Sequence, residues 1–261
     1  MSQLLQKFGM PEAASLHARG LDDLLWYVHL LMLALFVGWL GYYVLALVKF
    51  RRSANPKADY VGVKGHLSTY LEIGVAVVEG VLLVGFAIPL WARAVDEFPV
   101  AKGDPATDPI EIRIQGMQFK WNAHYSGPDN KWGRQDIKLA SATNPYGLDS
   151  EDAGAKDDVT CLLGEPFKVP VDRPVICRVS SMDVIHSFKI PAMRVTQDCI
   201  PGMSIQTHFT PTKVGKYSIT CAQLCGSGHS SMRGNFEVVP AAEYAAWYAE
   251  KAKSGGGGGF E

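Results

Sequence analysis

The sequence predicts two membrane-spanning helices followed by an all-β domain built as a sandwich or barrel. Leu24–Val48 runs for about 25 residues without a formal charge, and Ile73–Ala92 is a second apolar stretch broken only by Glu79. Each can cross a hydrocarbon core of roughly 30 Å. From Ile110 onward helical periodicity gives way to short runs rich in Val, Ile, Thr and aromatic residues, separated by Gly and Pro. Many short strands joined by turns produce that pattern. Of 261 residues 48% are hydrophobic and only 20% charged, which excludes a disordered or collagen-like chain. With 25 basic against 26 acidic residues and no local basic patch, no nucleic-acid partner is expected.

The first stretch could also be read as a cleaved signal peptide. Its apolar run is too long for that, begins late, and is followed by no small-x-small cleavage site. Between the two stretches Lys49, Arg51, Arg52, Lys57 and Lys64 face a single acid, Asp59. Short loops rich in Lys and Arg stay in the cytoplasm, so the N-terminal segment and everything after about residue 93 are expected on the outer side. The second span ends in IPLWARA, with Trp91 and Arg93 where an interfacial anchor sits. His29, Glu72 and Glu79 are the ionisable residues in or beside the spans. Glu72 reads equally well as a solvated headgroup-level residue, whereas Glu79, nearer the middle, should face a protein helix or a polar cavity. Residues 1–98 are thus read as a membrane-anchoring hairpin with its N-terminal segment, 99–240 as the outer domain, and 241–261 as a short helix with a Gly-rich tail.

In the outer domain the expected strands are EIRIQG, QFKWNAHY, PFKVPV, PVICRVS, HSFKIP, SIQTHFT, KYSITC and NFEVV. Gly127–Asp158 is polar and rich in Gly and Asp, which marks a long surface excursion. Pro240 opens PAAEYAAWYAEKAKS, a short helix, and Gly255–Gly259 form a flexible tail.

Five cysteines, Cys161, Cys177, Cys199, Cys221 and Cys225, leave at least one unpaired, so a pure disulfide framework does not account for them. Cys161, Cys177 and Cys199 read as small buried hydrophobes. The informative stretch is TCAQLCGSGHSSMRG, which places Cys221, Cys225, His229 and Met232 on one Gly-bearing loop after a strand. Two thiolates, an imidazole and a thioether favour copper, because soft sulfur ligands select it and Met is rarely a zinc ligand. Two sulfurs can bridge a pair of copper ions, which then needs another imidazole. His186, in SSMDVIHSFKIP, is the obvious supplier, although a lone strand histidine is more often ordinary. A Cys221–Cys225 disulfide and a structural zinc site are the other readings of these residues.

The run C-x-x-x-C-x-x-x-H-x-x-M after a distant H-S-F, with D-x-I-P-G between, resembles subunit II of haem–copper cytochrome c oxidases. The resemblance covers nearly the whole chain and implies a cupredoxin-like Greek-key domain outside a bacterial plasma membrane. It further implies the dinuclear copper centre called CuA, with Cys221 and Cys225 as bridging thiolates and His186 and His229 as imidazoles. Met232 and the backbone carbonyl of Gln223 become the weak ligands. The implied role is a relay. Electrons arrive from an outer donor of cytochrome c type and leave to haem in subunit I, where haems and CuB reduce oxygen to water with proton pumping. Subunit I and other oxidase subunits are the implied membrane partners. No general acid, base or nucleophile is expected in this chain.

Three departures from the family pattern carry expectations. Gln223 stands where the family usually has Glu, which puts an interfacial magnesium ion in doubt. The aromatic electron-input stretch, usually QWYW, reads Gln118-Phe119-Lys120-Trp121, so that Phe119 takes the place of the input tryptophan and Trp121 shares its face. The other reading of both is as packed aromatics of the barrel, and it is the favoured one for Trp121. With Lys120 beside them, the altered stretch suggests a donor other than soluble cytochrome c, such as a tethered carrier. In the second span Glu72 aligns with the family's proton-path glutamate, but Val75, Ala76 and Glu79 replace its Trp, Thr and Pro. Two further readings compete: the CuA subunit of a nitric oxide reductase, and a membrane-tethered copper-binding domain without a catalytic partner. A quinol-oxidase relative, which lacks the ligands, is set aside because all six positions are filled. No C-x-x-C-H motif is present, so no covalent c-type haem is expected.

Overall fold

A computed structural model describes residues 6–57, 60–62 and 64–253. Asp59 and the glycine run Gly255–Gly259 lie outside the described residues. The chain forms two compact units, one on Gly20–Arg93 and the other on Gly9–Arg19 together with the chain from Ala94 onward.

Helix α1 spans Ala18–Lys49 and a second helical stretch runs Leu67–Val95, and all but the outer ends of both belong to the first unit. Their 32 and 29 residues exceed what a hydrocarbon core of about 30 Å requires. The most apolar window of each has no buried residue. A core helix of a soluble domain would bury that window, so these flanks suit a lipid solvent. The second stretch comprises α2 (Leu67–Leu82), a π-helical turn (Leu83–Ala87) and α3 (Ile88–Val95). The π turn adjoins Pro89, whose missing N–H leaves the regular ladder without a donor at that point. The helices approach closely at Gly20, where an added Cβ would lie 2.8 Å from Leu90 Cδ2, and Tyr27 meets Phe86 edge-on at 5.6 Å.

The second unit is a sandwich of two five-stranded sheets. One runs β3 (Val159–Cys161), β2 (Lys120–Tyr125), β1 (Ile110–Met117), β5 (Val175–Ser181), β8 (Ile205–Phe209). The other runs β4 (Phe167–Pro170), β10 (Arg233–Val239), β9 (Gly215–Cys221), β6 (His186–Ile190), β7 (Val195–Cys199). β1 pairs with β5 and β4 with β10 in parallel, and the other neighbours are antiparallel. This is the cupredoxin-like architecture that the sequence motifs imply. Strict alternation builds it: Ile110, Ile112 and Ile114 of β1 and Val175, Cys177 and Val179 of β5 point inward, while Glu111, Arg113, Ile176 and Arg178 between them point out.

β3 and β7 are absent from the expected strands. β3 has three residues, and β7 buries only its end residues Val195 and Cys199, so neither carries a readable alternation. Cys161, Cys177 and Cys199 are free and buried in the core, and burial pushes the Cys161 and Cys199 thiols up to about 12. They act as small hydrophobes in the core, Cys161 at the end of β3. The segment Gly9–Arg19, grouped with the anchor in the sequence reading, lies on the sandwich. Ala14 N donates to Ala192 O at 2.9 Å, Thr212 N donates to Ala14 O at 2.8 Å, and the Ser15 hydroxyl donates to Met193 O at 2.7 Å. Helix α4 (Ala241–Lys253) packs Tyr244, Trp247 and Tyr248 around the buried Tyr125.

The polar excursion is clamped to the first sheet. Asp158 and His124 are both fully buried, 2.7 Å apart, and Asp158 also accepts from Gly127 N and Gly133 N at 2.9 Å each. Trp132 and Tyr146 lie against the His124 ring. Burial lowers the His124 pKa below its ordinary 6.5, outweighing the adjacent carboxylate, and its Nδ1 has no buried acceptor to meet a second proton. The unfolded chain therefore takes up a proton near pH 6.5 that the folded chain does not, and stability falls as pH drops below that value. Asp158→Asn keeps the shape but replaces an acceptor with a donor, and should cost about 1–3 kcal/mol in denaturant unfolding at neutral pH.

Candidate metal centre

Strand β9 ends at Cys221, and a loop containing the turn His229–Ser231 returns the chain to β10. β6 lies antiparallel to β9 with Phe188 opposite Cys221, which brings His186, at the start of β6, beside the loop. Ala222 N donates to Ser187 O at 3.0 Å, and Cys221 N to Met232 O at 3.3 Å, so both ends of the loop are tied to strands.

All six residues singled out in the sequence meet here. The Cys221 and Cys225 sulfurs are 3.8 Å apart and both are free, so the pair is not a disulfide. His186 Nδ1 lies 3.9 Å from Cys221 Sγ, and His229 Nδ1 lies 3.6 Å from Cys225 Sγ. Met232 Sδ is 3.7 Å from Cys225 Sγ, and the Gln223 carbonyl is 3.1 Å from Cys221 Sγ. The donor atoms of His186, Cys221 and Cys225 lie within 4.8 Å of one another. Burial, together with the neighbouring Cys221 thiol, pushes the Cys225 thiol up to about 11. This donor set, two thiols with an imidazole beside each and a thioether close by, fits copper, which soft sulfur ligands select.

Asp183 orients the site and was not singled out in the sequence, although its position three residues before His186 is legible there. Its Oδ1 accepts from His186 Nε2 at 2.8 Å, and its Oδ2 accepts from Gln118 N at 2.7 Å. With Nε2 donating, His186 presents its unprotonated Nδ1 toward the sulfurs. Burial works against the Asp183 carboxylate, but the donors from Gln118, His186 and Val184 outweigh it and hold its pKa below the ordinary carboxylate value. Gln118 Nε2 also donates to Cys225 O at 2.6 Å, bracing the loop from the β1–β2 turn.

Phe119 and Trp121 both lie at the site. Phe119 is partly exposed and packs on the loop so closely that a Cβ at Gly228 would come within 2.4 Å of its ring. Trp121 is 3% exposed and stands edge-on to His186 and Phe188, with ring centroids at 6.1 and 5.5 Å. Gly116 admits the His186 ring, because an added Cβ would lie 2.9 Å from His186 Cδ2. The side chain of Lys120 points to solvent beside them.

The family model described as cytochrome c oxidase subunit II, periplasmic domain, matches residues 110–239. The alternative cytochrome c oxidase subunit 2 of Bradyrhizobium diazoefficiens is 30% identical over 204 residues, covering 78% of this chain and 70% of its own length. Cytochrome c oxidase subunit 2 of a Synechocystis species is 30% identical over 265 residues, covering 93% and 76%. A crystal structure of the periplasmic domain of subunit II of cytochrome oxidase from Bradyrhizobium japonicum is 27% identical, covers 56% of this chain and 94% of that one, and superposes with a TM-score of 0.39.

Proposed function

Because the chain belongs to the cytochrome c oxidase subunit II family, the membrane-anchored subunit of a haem–copper oxidoreductase, we propose that it is the electron-input subunit of such an oxidase. Cys221 and Cys225 would bridge two copper ions, His186 and His229 would each hold one, and Met232 and the Gln223 carbonyl would be the weak ligands. The observation that carries this reading is the 3.8 Å sulfur pair, flanked by an imidazole on each side. A copper pair held there supplies one-electron transfer with the charge spread over both sulfurs.

The chain's own residues do the rest. Asp183 keeps the His186 proton on Nε2, so that Nδ1 stays free as a ligand. The rigid β6–β9 ladder and the Gln118 brace hold the ligands in one geometry. Phe119, partly exposed against the loop, and Trp121, buried behind His186, form the proposed electron-input side. Gln223 offers a neutral carboxamide where a carboxylate would help to hold an interfacial magnesium. The sandwich lies on the periplasmic side, receives electrons from cytochrome c or a tethered carrier, and delivers them to haem in subunit I. There, haems and CuB reduce oxygen to water with proton pumping.

The test is copper loading of the full chain in detergent. About two coppers per chain and an electron paramagnetic signal split over both nuclei are expected. One copper, or zinc in its place, overturns the assignment. Asp183→Asn should lower copper affinity about 10–100-fold while the melting transition of the sandwich stays in place, measured by competition with a chelator.

A further inference from the structure

The outward face of the first sheet carries a cavity of about 610 Å³ that none of the sulfur or imidazole donors line. Its floor is the parallel pair β1 and β5, whose register sets Arg113 beside Arg178 and Gln115 beside Ser180. Its wall is the clamped excursion, through Trp132 and Tyr146. The size lies within the range of roughly 300–1,000 Å³ typical of small-molecule sites.

The two arginines are compensated differently. Arg178 is paired with Glu111 through both carboxylate oxygens, the longer contact being 3.3 Å. Arg113 lies over the Trp132 ring, 4.0 Å from its centroid, and donates to Gln135 Oε1 at 3.2 Å. Among the described residues no carboxylate forms an ion pair with it. Burial lowers the pKa of this guanidinium, outweighing the nearby Glu111 and Asp158 carboxylates, which act to raise it. Gln115 Oε1, on the same strand face, is buried without a hydrogen-bond partner. A buried acceptor of that kind is costly unless something donates to it.

We propose that this cavity binds a small anion that carries a phosphate or carboxylate group together with a hydrogen-bond donor. The oxyanion meets the planar fork of Arg113, and the donor meets Gln115 Oε1. Trp132 and Tyr146 supply the less polar wall. Inorganic phosphate and malate both combine an oxyanion with an O–H, and they separate the two sources of that chemistry.

Calorimetric titration of the full chain in detergent at low salt tests it with each anion in turn. Saturable binding of phosphate alone, of malate alone or of both supports the site and identifies its class. Arg113→Gln should weaken binding at least about 10-fold. Glu111→Gln should tighten it several-fold, because it removes a repelling carboxylate and releases Arg178, a gain that misfolding does not imitate. No saturable binding of either anion up to about 10 mM, unchanged binding in a folded Arg113→Gln, or no tightening in Glu111→Gln overturns the proposal.

Discussion

Cys225→Ser is expected to destroy the proposed copper pair and lower oxidase turnover at least about a hundredfold, a larger loss than removal of an outer-sphere hydrogen bond produces. Cys225 is the hub of the donor set, with its sulfur 3.8 Å from Cys221 Sγ, 3.6 Å from His229 Nδ1 and 3.7 Å from Met232 Sδ. Serine fills almost the same space, so the loop, tied by the Gln118 contact to the Cys225 carbonyl, should keep its path. A hydroxyl, however, is a hard and weakly acidic donor that does not replace a bridging thiolate. Metal analysis, the paramagnetic spectrum and oxygen consumption by the assembled oxidase check this together. A folded variant that keeps both coppers and full turnover would remove Cys225 from the centre.

Phe236→Ala should be the most damaging single change in the sandwich core. Phe236 is fully buried on β10 and touches Phe167 of β4, Phe209 of β8 and Tyr217 of β9, with centroids between 5.4 and 5.8 Å. It thereby joins both sheets and braces the strand that ends at Cys221. Removing a buried phenyl ring costs about 3–5 kcal/mol, partly lost transfer energy and partly the cavity left behind. For a domain of this size that lowers the melting temperature by roughly 6–20 °C, readable by calorimetry of the apo chain. An unchanged transition would show that the neighbouring rings close the space without cost. The geometry of the donor set should loosen in parallel, because β9 and β10 carry both ends of the loop that holds Cys225 and His229.

Much of this was legible locally. The apolar runs of the two helices, the in–out alternation of β1 and β5, and the spacing of Cys221, Cys225, His229 and Met232 depend on neighbours a few residues apart. Residues hidden from such reading owe their place to distant partners. Asp158 belongs to a polar stretch that reads as solvated surface, yet it is fully buried because His124, 34 residues earlier, and two loop amides satisfy its oxygens. Gly9–Arg19 reads as a lead-in to a span but donates to and accepts from backbone some 180 to 200 residues away.

The sequence by itself determined the two-span, all-β plan and the chemistry of the sulfur loop, since periodicity and ligand spacing are properties of short segments. Only the tertiary structure decided that His186 meets that loop, because the meeting depends on the register of β6 against β9, across 35 residues of chain. It also decided that Asp183 aims the imidazole, and that Arg113 and Gln115 share a cavity. Strand register and the burial of polar groups are set jointly by contacts between remote segments, and no local pattern encodes them.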